Sequence, residues 1–246
     1  MSHKGAEETD RPVENLLRPS AIVVDYDRTL TDDALTPFEP ALSVLRDIQR
    51  KHVSMVIIAT GRNTSYVRGR RDVFGFADSV VCENGATVWM PSSDRIERLA
   101  DGNMTKAAFA RSPLEYAEGE VVVSLNREHE RDARRVLDLT HIDAEISYNQ
   151  DSIMVLPRGV DKASGVLAAL RILGVPSEDL ICIGDGENDL SLFKIARLKV
   201  ATEGSAMVLK RNSDVVCKGS CAIGVTRFLQ ELLRTVRVDA ATGSAP

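Results

Sequence analysis

A chain of 246 residues with 27% charged and 43% hydrophobic content has the make-up of an ordinary globular protein, long enough for one large or two modest domains. Its net charge of -5, with no long basic run, gives it no electrostatic means of gathering nucleic acid or an anionic membrane. No apolar run approaches the roughly 20 residues needed to span a bilayer, and the N-terminus lacks the apolar stretch of a signal peptide, so the expected location is the cytoplasm.

Residues 1 to 18 are polar, rich in Glu and Arg, and punctuated by Pro12 and Pro19, the composition of a mobile leader. Ala21-Ile22-Val23-Val24 then reads as a strand buried on both faces, and Asp25 and Asp27 follow where it should end. Ligands of open α/β sheets collect beyond the carboxyl ends of parallel strands, which is where this D-x-D falls. A solvated turn or a helix cap would look the same in isolation. The pattern continues with a helix over 39 to 51, with Leu42, Leu45 and Ile48 at helical spacing. The strand Ser54 to Ala59 runs into Thr60-Gly61-Arg62-Asn63, a helix follows over 63 to 73, and Ser79 to Cys82 forms a third strand. Strands alternating with helices predict a parallel sheet with right-handed crossovers.

Past Cys82 the rhythm changes. Glu83-Asn84-Gly85-Ala86 is a turn signal, and 87 to 99 reads as a hairpin. A helix near 103 to 117, a strand over 120 to 125, a helix near 127 to 139 and two strands joined by the short turn 149 to 151 complete a small α+β unit. The expected division is therefore a core of 19–86 and 157–238, an insert of 87–156 and a mobile tail of 239–246. With eight Lys and Arg against thirteen Asp and Glu, the insert has no bulk attraction for phosphate, and any anion it admits must be held by specific groups.

The core resumes with Asp161 as a plausible N-cap and Lys162 in the first helical turn, where a cation opposes the helix dipole. That misfit invites a functional reading beside the plain one of a solvated lysine. The strand Leu180 to Ile183 then runs into Gly184-Asp185-Gly186-Glu187-Asn188-Asp189, where glycines permit close backbone approach and carboxylates offer hard oxygen ligands. Three apolar strands thus end in Asp25, Thr60 and Asp185, on one rim if the sheet is parallel. Gathered carboxylates raise one another's pKa unless a cation sits among them, and magnesium suits a few carboxylates plus phosphate oxygens. Cys82, Cys182, Cys217 and Cys221 form no C-x-x-C pair and read as buried thiols, while His3, His52, His129 and His141 have no ligand spacing.

These four elements together, D-x-D-x-T after the first strand, Thr60 after the second, Lys162 at a helix start and G-D-x-x-N-D after the fourth, resemble the haloacid dehalogenase superfamily of phosphohydrolases over residues 20 to 236. The insert and its E-N-G turn resemble the C2B caps of the Cof-like branch, and its short length is similar to that of archaeal-type phosphoglycolate phosphatases. The resemblance implies a Rossmann-like doubly wound parallel sheet with a small inserted α+β cap, and a magnesium-dependent phosphomonoesterase working on a small metabolite. By the same resemblance, Asp25 is the nucleophile and Asp27 the acid and base, with Thr60, Gly61, Asn188 and Lys162 on the phosphoryl group. Magnesium falls to Asp25, the backbone carbonyl of Asp27 and Asp185, with Asp189 supporting Lys162 or a metal-bound water. Arg62 and Asn84 lie where they could touch substrate, or could be a surface arginine and a plain turn. The leading substrate by resemblance is 2-phosphoglycolate, its carboxylate pairing with Arg28, Arg62 or Arg158. A sugar phosphate or glycosyl-3-phosphoglycerate is the alternative, followed by a phosphomutase and a non-enzymatic phosphoacceptor. Most relatives have Gly where this chain has Arg28, and an Arg at positive φ would be strained, so the backbone there is expected to be ordinary, leaving the side chain for an anion contact.

Overall fold

The structure, a computed structural model, describes residues 19–149 and 152–242. The expected leader, residues 150–151 of the expected turn and the last four residues fall outside the described residues. In chain order the core begins β1 (Ala21–Asp25), α1 (Glu39–Arg50), β2 (Met55–Ala59), α2 (Thr64–Gly69), α3 (Arg71–Phe74) and β3 (Ser79–Cys82). The hairpin β4 (Thr87–Met90) and β5 (Arg95–Arg98) follows. Next come α4 (Asn103–Ala110), β6 (Ala117–Glu118), β7 (Val123–Asn126), α5 (Glu130–Thr140), β8 (Ala144–Asn149) and β9 (Ser152–Pro157). The chain closes with α6 (Lys162–Leu173), β10 (Leu180–Gly184), α7 (Leu190–Ile195), β11 (Leu198–Ala201), α8 (Met207–Arg211), β12 (Val215–Val216) and α9 (Cys221–Thr242).

Eight strands form one sheet in the order β12-β11-β10-β1-β2-β3-β4-β5. All pairings from β12 to β3 are parallel, and β4 and β5 are antiparallel. Alternation along β1 explains why its apolar run is unbroken. Ile22 and Val24 pack toward α1 and α9, whereas Ala21 and Val23 pack toward α6 and α7. Each fully buried Val or Ile contributes about 1.5–3 kcal/mol, and a one-residue slip would exchange the two sets, so the register is held from both faces.

The hairpin corrects the expected division. The expected insert includes it, yet β4 pairs with β3 and extends the core sheet. Its side chains give the reason: Trp89 joins the cluster under α1 and α9, Val88 and Met90 join the one under α6, and a strand buried on both faces belongs inside a sheet. Beyond it a four-stranded antiparallel sheet, β6-β7-β9-β8, carries α4 and α5 on one face, sealed by Phe109, Val123, Leu125, Leu137, Ile153 and Val155. The opposite face meets the core through Val121, Val122, Met154 and Leu156 around Ala86.

Several helix limits also differ from expectation. The helix expected over 63 to 73 is two pieces, broken after Gly69, where helix propensity is weakest. Pro113, which cannot continue a helix and restricts the residue before it, accounts for α4 stopping near Ala110 instead of 117. The closing helix α9 reaches Thr242, so part of the expected tail is helical. All four cysteines are buried and free. Among the described residues no helix is long and apolar enough to cross a membrane.

Candidate active site

The three central strands deliver the site. Asp25 ends β1 opposite Ala59 of β2, and Val24 lies opposite Ile183 of β10, so Thr60 and Asp185 emerge on either side of it. Lys162 reaches the same point from α6. Its helix starts in a capping box, in which Asp161 Oδ1 accepts from the Ser164 N–H at 2.8 Å and Ser164 Oγ accepts from the Asp161 N–H at 3.0 Å. Two glycines let this helix approach: a Cβ on Gly85, at φ +107, would lie 1.8 Å from the Asp161 carbonyl oxygen, and one on Gly165 would lie 2.5 Å from Val81. Lys162 is thereby 1% exposed, and its Nζ donates to Asp25 Oδ1 and to Asp189 Oδ1, each at 2.6 Å. Burial alone would lower the pKa of this ammonium; Asp189 and Asp25 outweigh it and hold the proton on.

Asp189 is a loop organiser as well as a partner of Lys162. It is fully buried, and its Oδ2 accepts from the backbone N–H groups of Asp185 and Gly186 at 3.0 Å. Its two oxygens are therefore occupied within the protein. By contrast, the Asp185 carboxylate and Asp25 Oδ2 accept no hydrogen bond among the described residues, although Asp25, Asp185 and Asp189 offer oxygens within 4.8 Å of one another. Burial, reinforced by Asp189, pushes Asp185 up to about 7 against the opposing pull of Lys162 and Arg28. Burial likewise raises Asp25 well above the usual carboxylate range, with Lys162 opposing and Asp189, Asp185 and Asp27 adding repulsion. Two hard, under-partnered carboxylates held in mutual repulsion fit an oxygen-seeking divalent cation. The side chain of Asp27 is not in this group.

Asp27 instead meets Arg62. The guanidinium donates from Nε to both carboxylate oxygens at 3.1 Å and from Nη2 to Oδ1 at 2.7 Å, while its plane lies over the Tyr66 ring at 4.9 Å. Thr60 is buried, its Oγ1 accepting from the Arg62 N–H at 3.0 Å across the half-buried Gly61. Arg62 is thus committed to Asp27. Arg158 is exposed and paired with Asp143 and with Glu145. Arg28 is half-buried without an ion pair among the described residues, and its backbone departs from expectation: φ is +58, not ordinary. The left-handed turn is held by the Arg28 N–H donating to Thr31 Oγ1 at 2.7 Å, a local bond that offsets the steric cost.

Asn84 and Asn188 join across the site, Asn188 Nδ2 donating to Asn84 Oδ1 at 2.9 Å. Asn84, itself left-handed at φ +57, then donates from Nδ2 to Ser147 Oγ of β8 at 2.7 Å. Neither Ser147 nor the role of Glu83 was found from sequence. Glu83 is fully buried, and its carboxylate accepts from the backbone N–H groups of Glu120, Val121 and Val122 at 2.8, 2.9 and 3.2 Å and from the Thr64 hydroxyl at 3.2 Å. Its own N–H donates to the Arg62 carbonyl, and that of Asn84 to the Thr60 carbonyl. One turn therefore ties the loop after β2 to the chain of the insert; an acidic residue beside a turn signal was the clue.

Comparison with known proteins agrees with this geometry. The family model of the haloacid dehalogenase-like hydrolases matches residues 22–119 and 120–229. The chain is 28% identical over 235 residues to a phosphoglycolate phosphatase of Methanopyrus kandleri, covering 88% of this chain and 98% of that one. It is 29% identical over 223 residues to one of Sulfurisphaera tokodaii, covering 86% and 93%. A solved structure from Thermoplasma acidophilum superposes with a TM-score of 0.73 at 19% identity, covering 87% of this chain and 98% of that one, which shows the fold. The chain belongs to the haloacid dehalogenase-like hydrolase family, and its enzymatic class is that of a phosphatase.

Proposed function

We propose that this phosphatase is a magnesium-dependent phosphomonoesterase of the cytoplasm that acts on a small phosphorylated metabolite through an aspartyl-phosphate on Asp25, with 2-phosphoglycolate as the leading substrate. The observation that carries the reading is the buried triad Asp25–Lys162–Asp189: the lysine holds the Asp25 carboxylate at the end of β1, where one of its oxygens would bind the cation and the other attacks. In the first step that oxygen forms a bond to phosphorus while the ester P–O bond breaks, and the Asp27 proton passes to the departing alkoxide. In the second, water attacks the phosphorus, Asp27 takes its proton, and the bond from Asp25 to phosphorus breaks to release phosphate. The bidentate hold of Arg62 presents Asp27 as the carboxylate needed for this second step. To act as acid in the first, Asp27 must be released from it. Thr60, the Gly61 backbone, Asn188 and Lys162 border the phosphoryl position and supply donors for its oxygens. Asp25, the Asp27 carbonyl and Asp185 would hold magnesium, which supplies charge stabilisation for the transferring oxygens. Asp189, with both oxygens occupied, acts on Lys162 and the loop.

A screen of phosphometabolites ranked by kcat/KM tests the substrate. The expected result is 2-phosphoglycolate at the head; sugar phosphates ahead of it by roughly tenfold or more would replace it with the alternative class.

A second expectation concerns pH. Because Asp185 titrates near 7 in the folded chain against an ordinary 3.8, the metal-free fold holds a proton that the unfolded chain has lost between those values. Stability of the metal-free chain should therefore fall as pH rises through that window. Magnesium must displace the same proton, together with any that burial holds on Asp25, so its Kd should tighten by about tenfold per pH unit or more as pH rises toward neutrality. Thermal melts with and without magnesium from pH 5.5 to 8.5 check both; a magnesium Kd independent of pH would exclude Asp185 as a ligand.

A further inference from the structure

The face that β7, β8 and β9 turn toward the core carries polar side chains beside its apolar contact with Ala86. Along β8, Ala144, Ile146 and Tyr148 pack into the apolar centre of the insert, so the intervening Glu145 and Ser147 lie on the opposite face. The register places Ser147 beside Met154 of β9, and Met154 beside Ser124 of β7, in one row across the sheet. None of the described residues that alternation puts on this face of the three strands is Lys or Arg. Beside Ser147 the face carries the Ser124 hydroxyl and the Met154 thioether, while the Glu145 carboxylate, two residues back along β8, is paired with Arg158 at 3.0 Å.

Within that row Ser147 is fixed to the catalytic loops. Asn188 Nδ2 donates to Asn84 Oδ1, and Asn84 Nδ2 donates to Ser147 Oγ. The Ser147 oxygen is consequently an acceptor already in use, and its own proton has no acceptor among the described residues. A hydroxyl in that state can do one further thing, which is to donate. We propose that Ser147 is a specificity-determining residue whose hydroxyl donates a hydrogen bond to an acceptor oxygen on the leaving group, selecting phosphomonoesters that carry such an oxygen, a carboxylate above all, beyond the ester linkage. The inference rests on the phosphatase reading of the site beneath it. It adds to that reading the part of the substrate that is not the phosphoryl group, and a residue that no sequence motif marks.

The test compares 2-phosphoglycolate, 2-hydroxyethyl phosphate and ethyl phosphate, which share a two-carbon leaving group and differ in the terminal oxygen, with the unaltered chain and its Ser147→Ala and Ser147→Thr variants. Ser147 is half-buried, so both variants should fold, as a thermal melt will show. Ser147→Ala should lose roughly 10- to 100-fold in kcat/KM on 2-phosphoglycolate, mainly through KM, and less than about twofold on ethyl phosphate. Ser147→Thr, which keeps the hydroxyl, should stay within about threefold of the parent on all three. An additional loss on 2-hydroxyethyl phosphate supports recognition of any acceptor oxygen; a loss confined to 2-phosphoglycolate supports recognition of the carboxylate. Equal losses on all three esters would assign Ser147 a purely structural role and overturn the inference, as would no loss on the oxygen-bearing pair. A parent that hydrolyses ethyl phosphate at least as well as both oxygen-bearing esters overturns the inference and leaves the phosphatase reading standing. No hydrolysis of any ester overturns both.

Discussion

Asp25→Asn is expected to abolish hydrolysis of a generic aryl phosphate, lowering the rate by roughly 10³-fold or more, as loss of a nucleophile does elsewhere. The amide keeps the shape of the carboxylate and can still accept from Lys162, but it removes the attacking charge and a magnesium ligand together. Folding should survive, and for a specific reason. Burial and three neighbouring carboxylates hold Asp25 above its usual pKa, so in the metal-free chain its ionised form is disfavoured by the fold. Replacing it removes that cost, while Lys162 keeps Asp189 at 2.6 Å. The metal-free variant should therefore melt no lower than the parent near neutral pH and should bind magnesium more weakly. Retention of more than a few per cent of activity, with deamidation of the new Asn excluded by mass, would remove Asp25 from the role of nucleophile.

Asp27→Asn should lower turnover by about 10²–10⁴-fold, the range for lost acid–base catalysis. The loss should depend on the leaving group. An alkyl ester needs its departing oxygen protonated, whereas nitrophenolate leaves with little help, so the ratio of the two rates should widen in the variant. Stability should change little: the Asp27–Arg62 pair has side chains 19% and 33% exposed, and pairs of that kind contribute about 0–1 kcal/mol. Magnesium affinity should also be kept if the ligand at this position is the backbone carbonyl. Equal losses for alkyl and aryl esters would show that Asp27 is not the acid.

What the sequence makes legible here is what local pattern encodes. Unbroken apolar runs such as Ala21–Val24 and Leu180–Ile183 are the signature of strands covered on both faces, and polar residues at their ends mark one rim because parallel strands all point the same way. Asp25, Thr60 and Asp185 are gathered by that logic, whereas Lys162 arrives from a helix start and Asp189 from the loop after β10. What stays hidden depends on pairing between distant segments. The hairpin β4–β5 has the same local sequence whether it joins the core or the insert; only the burial of Trp89 on one face and Val88 on the other decides. The φ of Arg28 is set by a bond to Thr31 that outweighs side-chain preference. Ser147 lies in an ordinary alternating strand, and nothing near it in sequence announces Asn84, 63 residues away.

The position of that hairpin bears on the open edges of the core sheet. A mostly parallel sheet ending at β3 would offer a row of open backbone N–H and C=O groups to any other chain. Here the exposed margin is β5, Arg95-Ile96-Glu97-Arg98, whose charges of both signs make docking of a foreign strand costly, and the far margin is β12, only two residues long. Both rims are thus poor templates for strand addition, and the hairpin, expected in the insert, covers the edge that β3 would otherwise expose.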